Sequence, residues 1–129
     1  MAYLSKLDIR ARAVLAERDE ESVALGGTLR LRELTRAAWR EANDYADTGE
    51  KTAEGVSIIL VEKWHVARFV AGVIDPATGA PMFTHEEVFG WPNRDDLWTE
   101  IVRIASAIDE LSEVGPSFRE GGSSPADEG

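Results

Sequence analysis

Apolar residues recur at helical spacing in the first half of the chain. Ser5 and Asp8 stand three positions apart, a spacing typical of a capping box, and the apolar residues that follow predict a helix over about residues 5–17. Thr35 is a suitable N-cap for a second helix that runs to about residue 47. Both caps are local signals, and they mark where these two helices begin.

Three further helices are predicted in the second half. Residues 53–74 place apolar side chains on nearly every side of a helix, which indicates a long helix at the centre of the fold. Thr84 and Glu87 repeat the capping-box pattern and open a short helix. Asn93 caps a last helix that Gly115 and Pro116 end, and its wide apolar stripe consists of Leu97, Trp98, Ile101, Val102, Ile104, Ala105, Ile108 and Leu111.

An alternating pattern between the first two helices predicts a β-hairpin. Val23 and Leu25 alternate before Gly26-Gly27, and Leu29 and Leu31 alternate after it. A two-residue loop would put the two apolar pairs on opposite faces of the hairpin. A three-residue loop instead pairs Leu25 with Leu29 and Val23 with Leu31 on one face, so the three-residue loop is predicted.

Segments rich in turn-forming residues connect these elements. Residues 47–50 predict a loop, and residues 75–81, with two prolines and a glycine, predict a turn that ends the long helix. Residues 116–129 predict a disordered tail, because eight of these 14 residues are Gly, Ser or Pro. The predicted fold is therefore mainly α: one domain over residues 1–115, with four main helices, a short helix and an N-terminal β-hairpin packed on them.

Composition narrows the classes of function. The formal net charge of −10 disfavours nucleic acid as a partner, because a phosphate backbone would be repelled. The absence of cysteine suits a reducing compartment, and the N-terminus lacks the pattern of a secretory signal, so we expect a cytoplasmic protein. The most apolar region, residues 56–74, includes Glu62, Lys63 and Arg68, too much charge for a membrane span.

Candidate chemistry is sparse. Glu62 and His65 have the spacing of a metal-ligating pair on a helix, but no second pair accompanies them, so an ordinary role for His65 at the core boundary is favoured. His85 belongs to a helix N-terminus and is assigned no catalytic role. The sequence has no nucleophile elbow, phosphate loop or dinucleotide fingerprint. We therefore expect no enzymatic activity, no cofactor and no metal.

Four tryptophans are many for this length, and aromatic side chains are common both in cores and in binding surfaces. Trp64, on the long helix, is expected in the core. Trp39, Trp91 and Trp98 are left open between the core and a contact surface.

Two segments, Gly26–Thr35 and Val73–Thr84, together with the order of elements over about residues 20–115, resemble the tail assembly chaperones of long-tailed bacteriophages. The resemblance implies a non-enzymatic protein that keeps the tape measure protein soluble and brings tail tube protein to it, the latter through a frameshifted longer form. It also implies a homo-oligomer that acts in the host cytoplasm and is absent from the mature virion. Ala38 departs from the family pattern, because an acidic capping partner is expected there.

Candidate partner contacts follow from the wide stripe of the last helix and from the hairpin, since a small domain has too little core to cover both. The predicted contact residues are Leu29, Leu31, Trp98, Ile101, Val102 and Ala105. An alternative function is an acidic phage-encoded adaptor or inhibitor that binds a basic host protein surface by charge complementarity.

Overall fold

The computed structural model of the protein describes residues 3–113, which form five helices and five strands. In chain order these are α1 (Lys6–Arg12), β1 (Glu17–Ser22), β2 (Gly27–Arg32), α2 (Arg36–Ala46), β3 (Asp47–Lys51), β4 (Ser57–Ile59), α3 (Val61–Gly72), β5 (Val73–Ile74), α4 (His85–Phe89) and α5 (Asp95–Glu113). The strands make two antiparallel sheets, one in the order β1-β2-β5 and one of β3 and β4. The described part of the chain is thus mixed α/β, and the predicted mainly α fold with only an N-terminal hairpin is wrong.

The hairpin of β1 and β2 has a different register from the predicted one. Ser22 pairs with Gly27, so that residues 23–26 form the loop, and Gly26 adopts a φ of 83° there. Leu29 and Leu31 face Glu20 and Arg18, not the predicted Leu25 and Val23. The predicted three-residue loop is therefore wrong.

Charge on an edge strand explains this error. β1 has the sequence ERDEES, which suggests a loop, but most of it faces solvent at the sheet edge, where charged side chains are tolerated and prevent pairing with other chains. Arg30 of β2 donates to Glu17 and Asp19 of β1, each at 3.0 Å. Cross-strand ion pairs of this kind add to the backbone ladder.

The predicted long helix over residues 53–74 is wrong at both ends. Its first part is β4, which pairs with β3, a strand where a loop is predicted, and its last two residues are β5. A short apolar run is ambiguous between helix and strand, and the β-branched Val56, Ile58 and Ile59 favour the strand. A turn at residues 52–55 closes this hairpin, with Gly55 at a φ of 86° and its N–H donating to the Thr52 carbonyl.

The predicted starts of α1, α2 and α4 are confirmed, whereas α5 begins at Asp95, two residues after the predicted cap Asn93. Ser5 and Asp8 form a capping box on α1, Thr84 and Glu87 form one on α4, and Thr35 caps α2. The predicted turn after the long helix is also confirmed, since Gly79 has a φ of 78°. The first helix was predicted to run to residue 17 but ends at Arg12, and residue 17 is instead the first residue of β1.

The core lies between α3, α5 and β2, with α3 at the centre as predicted. α3 packs against α2, α4 and α5. Leu31 pairs with Val73 of β5 in the ladder, and on the far side of β5 Ile74 forms a bridge with Pro81. The buried cluster consists of Leu29, Leu31, Val66, Phe69, Val70, Val73, Val88, Ile101, Ile104, Ala107, Ile108 and Leu111.

Within residues 3–113, no helix has both the length and the apolar character needed to cross a membrane. The predicted disordered tail at residues 116–129 and the predicted helix end at Gly115 lie outside the described residues.

Candidate functional site

The six predicted contact residues fall into two groups. Leu29, Leu31, Ile101 and Ala105 are buried within the chain, whereas Trp98 and Val102 are partly exposed. The buried four would meet a partner only if the domain opened. In the closed fold, the predicted partner contact concerns Trp98 and Val102 alone.

Trp98 lies on the wall of a groove of about 320 Å³ between α3, α4 and the start of α5. We call it the α3–α5 groove. Ile101 lines its inner part, and Phe89, at the end of α4, is 45% exposed beside it. The full lining is Glu62, Val66, Val88, Phe89, Trp91, Pro92, Asn93, Arg94, Asp95, Leu97, Trp98 and Ile101.

An aromatic cluster holds one wall of the groove in place. The Trp91 ring meets the rings of Phe69 and Phe83 edge to face, with centroid distances of 5.9 and 5.2 Å. Phe69 is fully buried in α3, so it anchors Trp91 to the core. Edge-to-face packing of this kind favours one arrangement of the rings, and the wall is therefore formed before any partner binds.

The groove has the chemistry of a protein-binding surface. Most of its lining residues are aliphatic or aromatic, but several of these are buried, so the surface that the groove exposes is about equally polar and apolar. The charged side chains in the lining are Glu62, Arg94 and Asp95. Clefts that combine aromatic anchors with placed polar groups are typical binding sites. The wide stripe of the last helix indicated Trp98, but no sequence pattern indicated Phe89, because its position depends on how α4 packs.

A buried arginine joins α3 to α5 near the groove. Arg68 donates to the carboxylate of Asp109, to the Ala105 carbonyl at 3.3 Å and to Nδ1 of His65 at 2.7 Å. The Trp64 ring lies over its guanidinium at 3.8 Å. These contacts compensate for much of the cost of burying a charge, and their role is to fix the two helices together.

The candidate metal pair does not form a metal site in this arrangement. Burial lowers the pKa of His65, and the nearby Arg68 charge lowers it further, so His65 is neutral at pH 7 and accepts a hydrogen bond at Nδ1. Glu62 is exposed and lines the groove. No group of three or more His, Asp or Glu side chains in the described part of the chain is arranged to hold a metal ion.

A second polar network ties the first hairpin to α5. The hydroxyl of Ser22 donates to Glu100 at 2.5 Å, and Arg103 donates to Glu100 and to Glu20, both at 2.7 Å. Hydrogen bonds from Arg103 lower the pKa of both glutamates, and the Ser22 hydroxyl lowers that of Glu100 further. Glu100 is itself buried, so this network is a structural contact between elements.

The other tryptophans differ in exposure. Trp64, expected in the core, is partly buried, and its indole N–H donates to Asn43 at 3.0 Å. Trp39 contacts Trp64 edge to face but remains 38% exposed, at the margin of a depression of about 520 Å³ between α2 and the end of α5. Trp91 is partly buried in the groove wall.

Two further segments expose apolar side chains. Every residue from 3 to 14 is exposed, including the large side chains of α1 and its flanks, and every residue from 47 to 62 is exposed, including the apolar run around β4. Sequence analysis missed the second segment because it assigned this run to a helix. Large exposed apolar surfaces commonly mark contacts with other proteins.

The described part of the chain thus offers a groove of mixed polar and apolar surface and two exposed apolar segments as its candidate functional surfaces. Comparison with protein-family models, with curated proteins and with solved structures finds no significant match to this chain.

Proposed function

We propose that the protein is a non-enzymatic tail assembly chaperone, which holds an apolar segment of a tape measure protein in the α3–α5 groove. The observation that carries the proposal is the position of Trp98, a predicted contact residue, on the groove wall beside the exposed Phe89. The resemblance of Gly26–Thr35 and Val73–Thr84 to tail assembly chaperones supports the same role.

The dimensions of the groove suit a helical client. A volume of about 320 Å³ has room for only a few large side chains, such as those one turn apart on an amphipathic helix. Trp98 and Phe89 supply apolar contact area, and the exposed Arg94 and Asp95 of the lining orient the client. The net charge of −10 keeps such a complex soluble while the client is held.

The wider role follows from the resemblance. The protein acts in the host cytoplasm as a homo-oligomer, keeps the tape measure protein soluble while the tail tube polymerises, and leaves before the virion is mature. A frameshifted longer form contacts the tail tube protein. No cofactor, membrane or nucleic acid takes part.

Co-expression with the tape measure protein encoded downstream tests the proposal, with size-exclusion chromatography and light scattering as the measurement. We expect a soluble complex with many copies of this chain per client. Trp98→Glu should abolish the complex, because a charge would be buried against an apolar client, while the helix content stays unchanged. Val102 does not line the groove, so Val102→Glu should affect the complex less.

Phe89→Glu gives the same test at a more exposed position, where folding is less affected. Val23→Glu is the matched control, since Val23 is exposed in a loop away from the groove and should leave the complex intact. An insoluble client beside a free, discrete oligomer of this chain would contradict the proposal.

The salt dependence of client binding distinguishes the chaperone from the alternative function, an acidic adaptor or inhibitor that binds a basic host protein. Apolar holding should persist between about 0.05 and about 0.5 M NaCl, whereas binding driven by charge should weaken steeply over that range. A steep loss of client binding would favour the adaptor.

A further inference from the structure

The helix α1 has an apolar stripe that no other part of residues 3–113 covers. Leu4, Leu7 and Ala11 follow one another at spacings of three and four and therefore share a face. Leu7 is 75% exposed, and α1 has no buried residue. An isolated helix of seven residues is too short to be stable in water, so α1 needs a surface to pack against.

The hairpin of β3 and β4 also exposes an apolar surface. Val56, Leu60 and Val61 are exposed beside Ile58 and Ile59, and this run is free of charge. A two-stranded hairpin is only marginally stable alone. The hairpin therefore also needs a covering surface.

The charges of the two segments are opposite. Residues 3–16 carry three basic side chains against one acidic side chain, whereas the chain as a whole is strongly acidic. Residues 47–60 carry three acidic side chains against one basic side chain. Docking α1 on the hairpin would thus bring Arg10 and Arg12 towards Glu50 and Glu54, which favours encounter and orientation.

The position of α1 in the fold points to a second copy as the partner. Ala16 is held to Glu33 by two hydrogen bonds, of 2.9 and 2.8 Å, beside the N-terminal end of α2. The hairpin begins at the other end of α2, whose 11 residues rise about 16 Å. In the structure every residue of α1 and of the β3–β4 hairpin is exposed, so α1 does not cover the hairpin of its own chain.

We propose that α1 of one copy docks on the β3–β4 hairpin of a second copy, and that the exchange is reciprocal in a two-fold dimer. Reciprocity covers both exposed segments of both copies and closes the assembly at two chains. The contact lies outside the α3–α5 groove, so the dimer and the client complex succeed or fail independently.

The dimer is tested on the full chain by sedimentation velocity and light scattering. Leu7→Glu on α1, or Ile59→Glu on the hairpin, should raise the dissociation constant at least about tenfold, because each places a charge in the apolar contact. Val23→Glu, an exposed site outside both segments, is the matched control and should leave the dimer intact. Circular dichroism of each variant checks that the fold is retained.

Charge exchange makes the test specific to this pair of surfaces. Arg10→Glu with Arg12→Glu should weaken the dimer, and so should Glu50→Lys with Glu54→Lys, because each creates like charges across the contact. Each variant alone places like charges at both contacts, whereas a mixture of the two variants pairs opposite charges at both contacts of a mixed dimer. All four changes in one chain also restore opposite charges at both contacts. We therefore expect both the mixture and the fourfold variant to recover the dimer.

Three outcomes would overturn the proposal. The first is a protein that stays monomeric even at concentrations far above those of the assay, because α1 packs on its own chain. The second is a dimer that the hairpin variants dissociate and the α1 variants do not, which would indicate that β4 pairs with β4. The third is a fourfold variant that stays monomeric.

Discussion

At the scale of single residues, Gly72 decides how closely α3 approaches α5. A Cβ atom at this position would lie 2.7 Å from Cγ2 and 2.8 Å from Cγ1 of Ile108. Ile108 is fully buried in the core cluster and has no free space to move into. The glycine is therefore needed for close packing, not for a special backbone conformation.

Gly72→Ala should lower the free energy of unfolding by about 1–3 kcal/mol, because the added methyl group overpacks a fully buried contact. This loss exceeds the gain of about 1 kcal/mol that alanine usually brings to a helix. Urea denaturation measures the change. Gly27→Ala serves as the control, since a Cβ there meets no atom within 4 Å, and an unchanged Gly72→Ala protein would contradict the close packing.

At the scale of elements, the sequence predicts helix starts better than strands. A cap such as Ser5 or Thr35 acts on a backbone N–H three residues away, so the signal and the structure lie in the same short segment. β1 is different, because its charged residues form a strand only through pairing with β2 and α5. Its sequence alone therefore resembles a loop.

The register of the first hairpin is tested by comparing Val23 and Leu31, which the sequence predicted to pair on one face of the hairpin. Leu31→Ala should destabilise the protein by about 2–5 kcal/mol, because Leu31 is fully buried. Val23→Ser should change stability by less than about 0.5 kcal/mol, because Val23 is 96% exposed. Thermal and urea unfolding measure both, and similar large losses at the two positions would support the three-residue loop.

The candidate site was predictable only in part, because local sequence patterns do not encode how distant elements pack together. The stripe on the last helix indicated Trp98 and Ile101, which the structure brings to one groove. Phe89 and Trp91 join them through the packing of α4 and the segment after it, which no local pattern encodes. Leu29 and Leu31 were predicted as partner contacts because the sequence did not predict the third strand. In the structure β5 and α5 bury both residues.

At the scale of the whole molecule, a net charge of −10 makes the placement of each cation important. Arg103 connects β1 to α5 through Glu20 and Glu100 and lowers the pKa of both carboxyl groups. A carboxyl whose pKa is lower in the folded state stabilises the fold above its unfolded pKa. That contribution is lost as the pH falls through the folded value.

Arg103→Gln should therefore lower the free energy of unfolding by about 1 kcal/mol at pH 7, since Arg103 is itself half exposed. The difference from the parent protein should shrink as the pH falls below 4.5, the ordinary pKa of glutamate. Urea unfolding between about pH 3 and pH 7 measures it, with Lys51→Gln, an exposed hairpin residue, as the control. A difference that stays constant with pH would mean that the network does not stabilise the fold through these carboxylates.

Neither edge of the three-stranded sheet is suited to pair with a further strand. β1 presents charged side chains, and beyond β5 the bridge to Pro81 ends the ladder at a residue with no N–H to donate. An open sheet edge can seed fibrils at high protein concentration. The exposed apolar run at β4 lies in the other sheet, so a second copy that covers this run would also remove a route to fibril growth.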